Sequence, residues 1–538
     1  MKRIGMCIWL LVASLSLGGQ TLWPDGTWCV PSGTTPERML LEERNLWLGS
    51  TNPAALGVRP MPDYGTTRLG ATSESGAYRR PQQAAEALSA GFHSDSYLSL
   101  KGLHLWGAFD FTQKWHRNRA WADIRDPYNG NPYSAGSAVA SRYQEQTVDF
   151  HVKASSHRIG RRWWVGAALD YSTGDFSRSS DPRTRTQSLD LAVRPGIAVE
   201  LSPRSTVGVN GSYRFAKEKM LKPVCKESDN YDKYPYYAFK GMGEYDEPDL
   251  LSFSRRFMAN YYGGEAQYRY GSGGFSLIVR ASATVRRDRV EGQNQASPGD
   301  YGETIWSGAI KGLLERPQGL HAFELHYVSK TGRANEFLQE SVTVQNPNGS
   351  FTSYWRTIFS AVKYRTSRDE AGARWRYYRL DGSNGYRWHV GAELRYGDFE
   401  NRYVLPASSL AASRAGAELS AGMPLVRGAA HQLRASIAAA YAAVPSRSLT
   451  VNTAGKSDLQ TGVIDPEYAY FGRALTICGI TVDYDFALRK TSGLRGFVAG
   501  AFRLIHAGGQ PLFRRAVARH SDGIRTVSGG PIKIRIEY

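Results

Sequence analysis

The chain has 538 residues, a formal net charge of +18, and many Tyr (31), Trp (13) and Gly (56) residues. Its mean hydropathy is −0.43, and outside the N-terminus no apolar run reaches the ~18 residues of a spanning helix, which excludes a helical membrane protein. The arginines are spread along the chain and form no patch or tail, so nucleic acid is not an expected partner. Aromatic-rich and Gly-rich sequence of moderate hydropathy is typical of a β-barrel with aromatic girdles.

The first residues have the pattern of a secretory signal peptide. Lys2 and Arg3 supply the charged region, Ile8 to Leu17 the apolar region, and Gly18 and Gly19 small residues for cleavage. The apolar run is too short for an anchor helix. We therefore predict a signal peptide at 1–19.

Three cysteines follow the predicted cleavage site: Cys29, Cys225 and Cys478. An odd number excludes a complete disulfide framework, and the spacing matches no metal site. Whether Cys29 and Cys225 form a bridge stays open. No metal and no cofactor are predicted.

Residues 20–64 lack the alternation of a strand and are predicted to form an N-terminal plug. Thr35 followed by Pro36 is a good helix start, and a short helix is expected over Glu37 to Leu46. The small residues around Asn52-Pro53-Ala54 allow close backbone packing inside a barrel. This stretch is similar to the Asn-Pro-Ala hatch of the long-chain fatty-acid transporter family. The alternative is a periplasmic extension without a plug role.

Two further stretches carry a wider resemblance. Gly76-Ala77-Tyr78-Arg79-Arg80-Pro81-Gln82 and Trp121 to Tyr133, together with the Asn-Pro-Ala stretch and the aromatic C-terminus, resemble a Bacteroidetes-type family of outer-membrane β-barrel proteins of unassigned function. The resemblance implies a barrel fold and location in the cell outer membrane over the whole mature chain. It implies no particular chemistry.

From residue 65 to 538 the sequence predicts a single transmembrane antiparallel β-barrel, an all-β fold. Apolar residues alternate with polar ones in segments long enough for the ~9–11 residues of a tilted spanning strand, as at Val148, Phe150 and Val152. A soluble β-sandwich usually has shorter strands. Short connections alternate with long ones, including an expected loop at 332–353, which is typical of periplasmic turns and extracellular loops. We expect about 14 to 18 strands, an even number, with one of them at 470–486.

The last seven residues, Ile532 to Tyr538, alternate strictly and end on an aromatic residue. In a closed barrel such a strand pairs with the first strand and leaves no exposed edge. It resembles the C-terminal signal strand of bacterial outer-membrane barrels. Ile534, Ile536 and Tyr538 are predicted to close the barrel and to be recognised by the outer-membrane barrel assembly machinery. The alternative is an ordinary terminal strand of a soluble sheet.

Charged residues are expected in the lumen, because an arginine facing lipid at the bilayer midplane costs ~2–4 kcal/mol in a barrel. The residues predicted to line the lumen are Arg162, Arg194, Arg214, Arg280, Arg535, Glu324 and His326. Some of the arginines are expected to pair with Asp170, Asp190 or Glu324, and unpaired ones would attract anions. The competing account places the excess charge on the extracellular rim, against lipopolysaccharide phosphates and other lipids of the outer membrane.

Two functions fit these patterns. The first is a channel or transporter for a small solute, anionic if the lumen is open and basic, and gated by the plug. The second is a structural or accessory barrel that partners a transporter or surface lipoprotein, favoured if ion pairs and aromatic residues fill the lumen. The aromatic and acidic loop Ala216–Arg256 is interpreted as a cover of the barrel mouth, with sugar or Ca²⁺ binding as the alternative. No nucleophile or phosphate-binding motif indicates an enzyme, although catalytic groups on a barrel wall would leave no local signature.

Overall fold

In the computed structural model the described residues are 35–227, 233–292, 296–382, 385–428, 430–452, 457–488, 495–508, 523–529 and 535–536. Several predictions therefore lie outside the described residues. They concern the signal peptide 1–19, residues 20–34 of the predicted plug, the Cys29 bridge, Ile534 and Tyr538.

The described residues form 23 β-strands. The first twelve are β1 Tyr64–Gly76, β2 Glu86–Leu100, β3 Leu103–Arg119, β4 Ala135–Ser137, β5 Ser141–Ser156, β6 Trp163–Arg178, β7 Arg185–Ser202, β8 Ser205–Met220, β9 Tyr236–Gly241, β10 Glu244–Asp246, β11 Arg255–Ser272 and β12 Phe275–Glu291. The others are β13 Gly299–Arg316, β14 Gly319–Gln345, β15 Phe351–Leu380, β16 Tyr386–Tyr403, β17 Ser408–Arg427, β18 His431–Ala443, β19 Arg447–Thr450, β20 Ala474–Ala487, β21 Arg495–Gly508, β22 Gly523–Gly529 and β23 Arg535–Ile536.

The helices are short. They are α1 Pro36–Arg44, a 3₁₀ turn Leu46–Gly49, α2 Ala55–Val58, α3 Ser457–Leu459, a π-helical turn Gln460–Ile464 and α4 Asp465–Phe471. Helix α1 begins where the sequence predicts it, because the Thr35 hydroxyl caps the amide of Arg38 at 3.3 Å and Pro36 needs no donor there. Within the described ranges no helix has the length and apolar character needed to cross a membrane.

The long strands form one antiparallel ladder with eighteen positions among the described residues. Each strand pairs with its successor from β1 to β21, except that the short β4, β9, β10 and β19 lie outside this order. Strands β22 and β23 share the last position, since both pair with β21 and with β1. The pairing order returns to β1 through Ile536, which lies opposite Thr67. We call this order of strands the ring.

The two faces of the ring have the reverse polarity of a soluble protein. Along β5 the side chain of Phe150 is 44% exposed, whereas Lys153 and Ser155 on the other face are buried. Because side chains alternate between the faces of a strand, one face is mainly apolar and exposed and the other is mainly polar and buried. We call the first the exterior face and the second the interior face.

The two ends of the ring differ in their connections. At the short-turn end the strands are joined by two or a few residues, as at 101–102, 203–204 and 317–318. At the long-loop end the connections include 120–140, 221–254 and 444–473. These longer segments have structure of their own: β4, β9 and β10 form a three-stranded sheet, and the last connection contains α3 and α4.

Two element predictions are wrong. The expected loop at 332–353 is a long hairpin, because β14 and β15 continue for 27 and 30 residues. The expected strand at 470–486 begins as the end of α4, and β20 starts only at Ala474. The first strand starts at Tyr64, next to the predicted boundary.

Candidate functional site

The N-terminal segment, residues 35–63, lies inside the ring at the short-turn end. Leu40, Leu46 and Trp47 are almost completely buried and pack against interior residues of the wall such as Ile278 and Leu313. Burying a large apolar side chain contributes about 1.5–3 kcal/mol. The segment is therefore packed against the wall as part of the fold.

The side chain of Asn52 bonds both to the wall and to its own turn. Its amide nitrogen donates to the carbonyl oxygen of Ile197 at 2.9 Å and to Oε1 of Gln267 at 3.0 Å. Its amide oxygen accepts from the backbone N–H of Ala54 at 3.0 Å. Asn52 is 2% exposed and Ala54 is 0% exposed, so the Asn-Pro-Ala turn is buried against β7, β8 and β11.

Two glycines of the wall make room for this turn. Gly166 of β6 and Gly196 of β7 lie directly opposite each other in the ladder. A Cβ on Gly196 would lie 2.2 Å from Oδ1 of Asn52, and one on Gly166 would lie 2.6 Å from the amide nitrogen of Ala54. Any side chain at either position would displace the turn, so the wall and the segment are fitted to each other.

Glu265 of β11 holds the residues just before the turn. Its carboxylate accepts from the Ser50 hydroxyl at 3.0 Å and from the backbone N–H of Thr51 at 3.1 Å. Thr51 also exchanges hydrogen bonds with the side chain of Asn210, which in turn accepts from Gln267 at 2.8 Å. The interior side chains of Asn210, Glu265 and Gln267 thereby find hydrogen-bond partners in the segment.

Glu43 of helix α1 anchors the other side of the segment. Its carboxylate lies 3.0 Å from Nζ of Lys311 and 3.5 Å from Nη1 of Arg376, and it accepts from the Tyr378 hydroxyl at 3.4 Å. Burial alone would raise the pKa of Glu43, but the charges of Lys311 and Arg376 outweigh it and lower the pKa to about 2. The segment thus crosses the interior from β13 and β15 to β6 and β7.

The predicted lumen residues on the strands lie on the interior face and are mostly paired. Arg194 pairs with Asp170, and Arg214 pairs with Asp190. Glu324 pairs with Arg374 and lies 4.0 Å from Arg280, whose guanidinium packs against Gly49 of the N-terminal segment. His326 is half-buried on the same face and packs against Gly372. These carboxylates neutralise the arginines locally.

The lumen prediction is wrong for Arg162. By strand phase Arg162 would share the interior face with Trp164, but β6 begins only at Trp163, so Arg162 lies exposed in the turn between β5 and β6. Arg535 is paired through its backbone with Phe497 of β21, and its side chain lies outside the described part of the chain.

A second layer closes the long-loop end. Arg80, from the connection after β1, forms a buried ion pair with Glu467 of α4, and its guanidinium lies 3.4 Å from the ring centre of Tyr128. Tyr237 of β9 donates to Asp458 of α3 at 2.8 Å. Its apolar residues, such as Tyr237 and Phe471, pack with interior residues of the wall, such as Tyr301 and Ile505, in one buried cluster. We call these folded connections the cap; it includes the loop predicted to cover the mouth.

Sequence reasoning missed most of the residues that hold the N-terminal segment. Glu265, Gln267 and Asn210 lie in strands with correct alternation, but nothing in their spacing indicates a partner some 160–215 residues away. The Gly166–Gly196 pair offers the one usable signal, since glycine in a strand interior marks close approach of another backbone. Among the described residues, no group of three His, Cys, Asp or Glu side chains could hold a metal ion.

The sequence from residue 53 to 524 matches the model of a family of unknown function, DUF6850. The chain belongs to this family. No curated protein shows significant similarity to it.

Solved structures align over most of the chain at low similarity. The FrpB iron transporter of Neisseria meningitidis (F3-3 variant) has a TM-score of 0.40 and 8% identity, covering 91% of this chain and 83% of that one. The copper transporter OprC has a TM-score of 0.38 and 9% identity, covering 88% and 82%. Unliganded ferric citrate transporter FecA has 0.38 and 11%, covering 89% and 79%. TM-scores this low do not establish a common fold. None of the three is a long-chain fatty-acid transporter, so the resemblance of the hatch to that family gains no support from them.

Proposed function

We propose that the protein is an outer-membrane β-barrel that transports a small solute and is closed, in the described state, by its N-terminal segment. The observation that supports this most directly is the position of residues 35–63 across the interior at the short-turn end. Side-chain hydrogen bonds and ion pairs supply many of its contacts, and such contacts can be exchanged for water when a segment moves.

The proposed location rests on the polarity of the ring. A barrel in a bilayer contacts lipid acyl chains on its outer face, whereas its interior can hold water. It therefore requires an apolar exposed exterior and a polar interior. In this proposal the short-turn end faces the periplasm and the long-loop end faces the outside. The predicted signal peptide 1–19 and the assembly machinery that recognises the last strand belong to the same proposal.

The interior charges bear on the solute. Arg194, Arg214 and Arg374 are paired with carboxylates, so their field is largely cancelled at the distances at which a passing solute would approach. We therefore propose a small polar solute and do not assign it a negative charge. Catalysis is not part of the proposal.

A reversible tether tests the gating role. Thr51 of the segment and Asn210 of the wall are in hydrogen-bond contact at 3.1 Å, so the double variant Thr51→Cys/Asn210→Cys should form a disulfide that fixes the segment. We expect solute flux through the oxidised variant to be abolished in liposomes and to return on reduction. Thr51→Cys alone is the matched control. Equal flux before and after reduction would refute gating by this segment.

One observation favours the accessory role as a second candidate. Beyond Glu336 and Tyr364 the β14–β15 hairpin has no further neighbour in the ladder, and it exposes Leu338, Ile358 and Phe359. A two-stranded ribbon is marginally stable in water by itself, and exposed apolar patches of this kind are typical of protein–protein contacts. A partner that covers this ribbon would make the barrel part of a larger assembly.

A further inference from the structure

The exterior face of the ring has a row of arginines near the long-loop end. Arg333 of β14 lies directly opposite Arg365 of β15, and Arg365 lies directly opposite Arg402 of β16. On the other side of Arg333 the row continues through Gly302 of β13 to Arg287 of β12. We call Arg287, Arg333, Arg365 and Arg402 the arginine row. All four side chains are exposed.

The arginine row is unfavourable unless an anion lies against it. Directly opposite residues have Cβ atoms about 4.5–5.5 Å apart, and like charges in such positions destabilise a sheet. Within the described part of the chain, no salt bridge of 4.0 Å or less joins any of the four to an acid. Two acids lie on the same face, each two residues along its strand from the row: Glu400, which is exposed and opposite Ser367, and Asp300, which is opposite Arg289. The interior arginines differ, since Arg194 pairs with Asp170.

The row lies where the apolar part of the exterior ends. Along the same strands, toward the short-turn end, the exterior positions include exposed Val285, Trp306, Tyr327 and Tyr396. Asp369 and Asp398, opposite each other on the same face, lie between these residues and the row. Aromatic residues at such a boundary are typical of the membrane interface of a barrel. In the proposed orientation the arginines would thus meet the headgroups of the outer leaflet.

A groove begins at one end of the row. It has a volume of 960 Å³ and lies between the exterior positions of β11–β13 and the extended part of the β14–β15 hairpin. Its lining has two cations, Arg287 and Arg289, and two carboxylates, Asp288 and Asp300. Arg289 lies 2.9 Å from Glu291, Asp288 pairs with the interior Arg286, and Asp300 accepts from the amide of Asn335 at 2.6 Å. The hairpin contributes the indole of Trp355 and the polar side chains of Gln339 and Ser341. Such a wall offers an aromatic face together with hydrogen-bond donors and acceptors.

We propose that the groove and the arginine row bind the phosphorylated saccharide headgroup of an outer-leaflet glycolipid. The guanidinium groups would receive the phosphates, which arginine binds in a bidentate manner, and the groove would receive the sugar. Charge complementarity and position at the end of the apolar belt select this ligand over a soluble anion. The inference rests on the proposed outer-membrane location.

Binding of lipid A by the purified full-length protein in detergent tests this site. Native mass spectrometry gives the bound fraction for diphosphoryl lipid A, monophosphoryl lipid A and phosphatidylglycerol. We expect diphosphoryl lipid A to bind at least tenfold more tightly than phosphatidylglycerol. The variant Arg333→Gln/Arg365→Gln should lose at least tenfold in affinity for diphosphoryl lipid A and less for the monophosphoryl form. Trp355→Ala should weaken the binding of both lipid A forms equally.

Arg387→Gln is the matched control, since Arg387 is an exposed arginine at the short-turn end. The inference is overturned if the row variant binds as well as the parent, if Arg387→Gln has the same effect, or if phosphatidylglycerol binds as tightly as lipid A. Failure of the glycolipid-binding inference can be distinguished from failure of the transport proposal. Lipid binding is measured in detergent without flux, whereas the disulfide tether is read as flux in liposomes without lipid A.

Discussion

Glu43 provides the sharpest test of how the N-terminal segment is held. Its pKa is lowered from 4.5 to about 2 in the docked segment, and each pKa unit corresponds to ~1.4 kcal/mol. Docking is therefore favoured by about 3 kcal/mol at neutral pH through this one carboxylate. The figure applies to a side chain that is 11% exposed, where screening by solvent is small. Glu43→Gln should raise the opening constant of the segment by roughly two orders of magnitude.

Hydrogen exchange of the backbone amides in α1 and α2 measures this opening. At pH 7 we expect the Glu43→Gln variant to lose about two orders of magnitude of protection there, while the amides of β11–β13 keep theirs. Glu37→Gln is the matched control, because Glu37 is exposed on the same helix. Equal protection in both variants, or loss of protection throughout the strands, would refute the assignment of the docking free energy to Glu43.

The same carboxylate predicts a pH dependence with a definite sign. Because the docked state has the lower pKa, the contribution is complete above pH 4.5 and is lost as the pH falls toward about 2. Wild-type α1 should therefore open progressively over that interval after correction for the intrinsic exchange rate. Docking in Glu43→Gln should not depend on pH in this range.

Three further predictions concern the wall glycine behind the Asn-Pro-Ala turn, the cap and the hairpin. Gly196→Val should expel the N-terminal segment and make it protease-sensitive, because a Cβ there would lie 2.2 Å from Oδ1 of Asn52. Gly211→Val is the control and should leave the segment protected, because a Cβ at Gly211 meets nothing within 4 Å. Glu467→Gln should destabilise the cap by about 3 kcal/mol, since it removes one partner of a buried ion pair; a lowered Tm is expected, and exposed Asp465→Asn should leave Tm unchanged. Replacing 339–357 by a short turn should leave Tm and flux unchanged, because that part of the hairpin pairs with no other strand; a large fall in Tm would contradict this.

The alternation of the sequence predicts the faces of the strands better than their ends. It places Phe150 outside and Lys153 inside, as observed. It misses β1 and β2, whose exterior positions include Ser and Gly in place of large apolar residues. It also fails at 332–353, where Phe337 and Leu338 are adjacent and register shifts after Ala334 and after Leu338 interrupt the alternation along β14. The period of two is therefore lost from the sequence there.

The interior charges show a second limit of prediction from sequence. Strand phase correctly puts Arg194 and Asp170 on one face, but whether a cation is paired depends on the register between strands. In the ladder Asp170 lies opposite Ala192, so Arg194 reaches it diagonally across two residues. A shift of two residues that placed Asp170 opposite Asp190 would keep every side chain on its face and break this pair, leaving Arg194 free to attract anions. The difference between a basic lumen and a neutral one is thus a matter of register, and it decides the selectivity expected of an opened barrel.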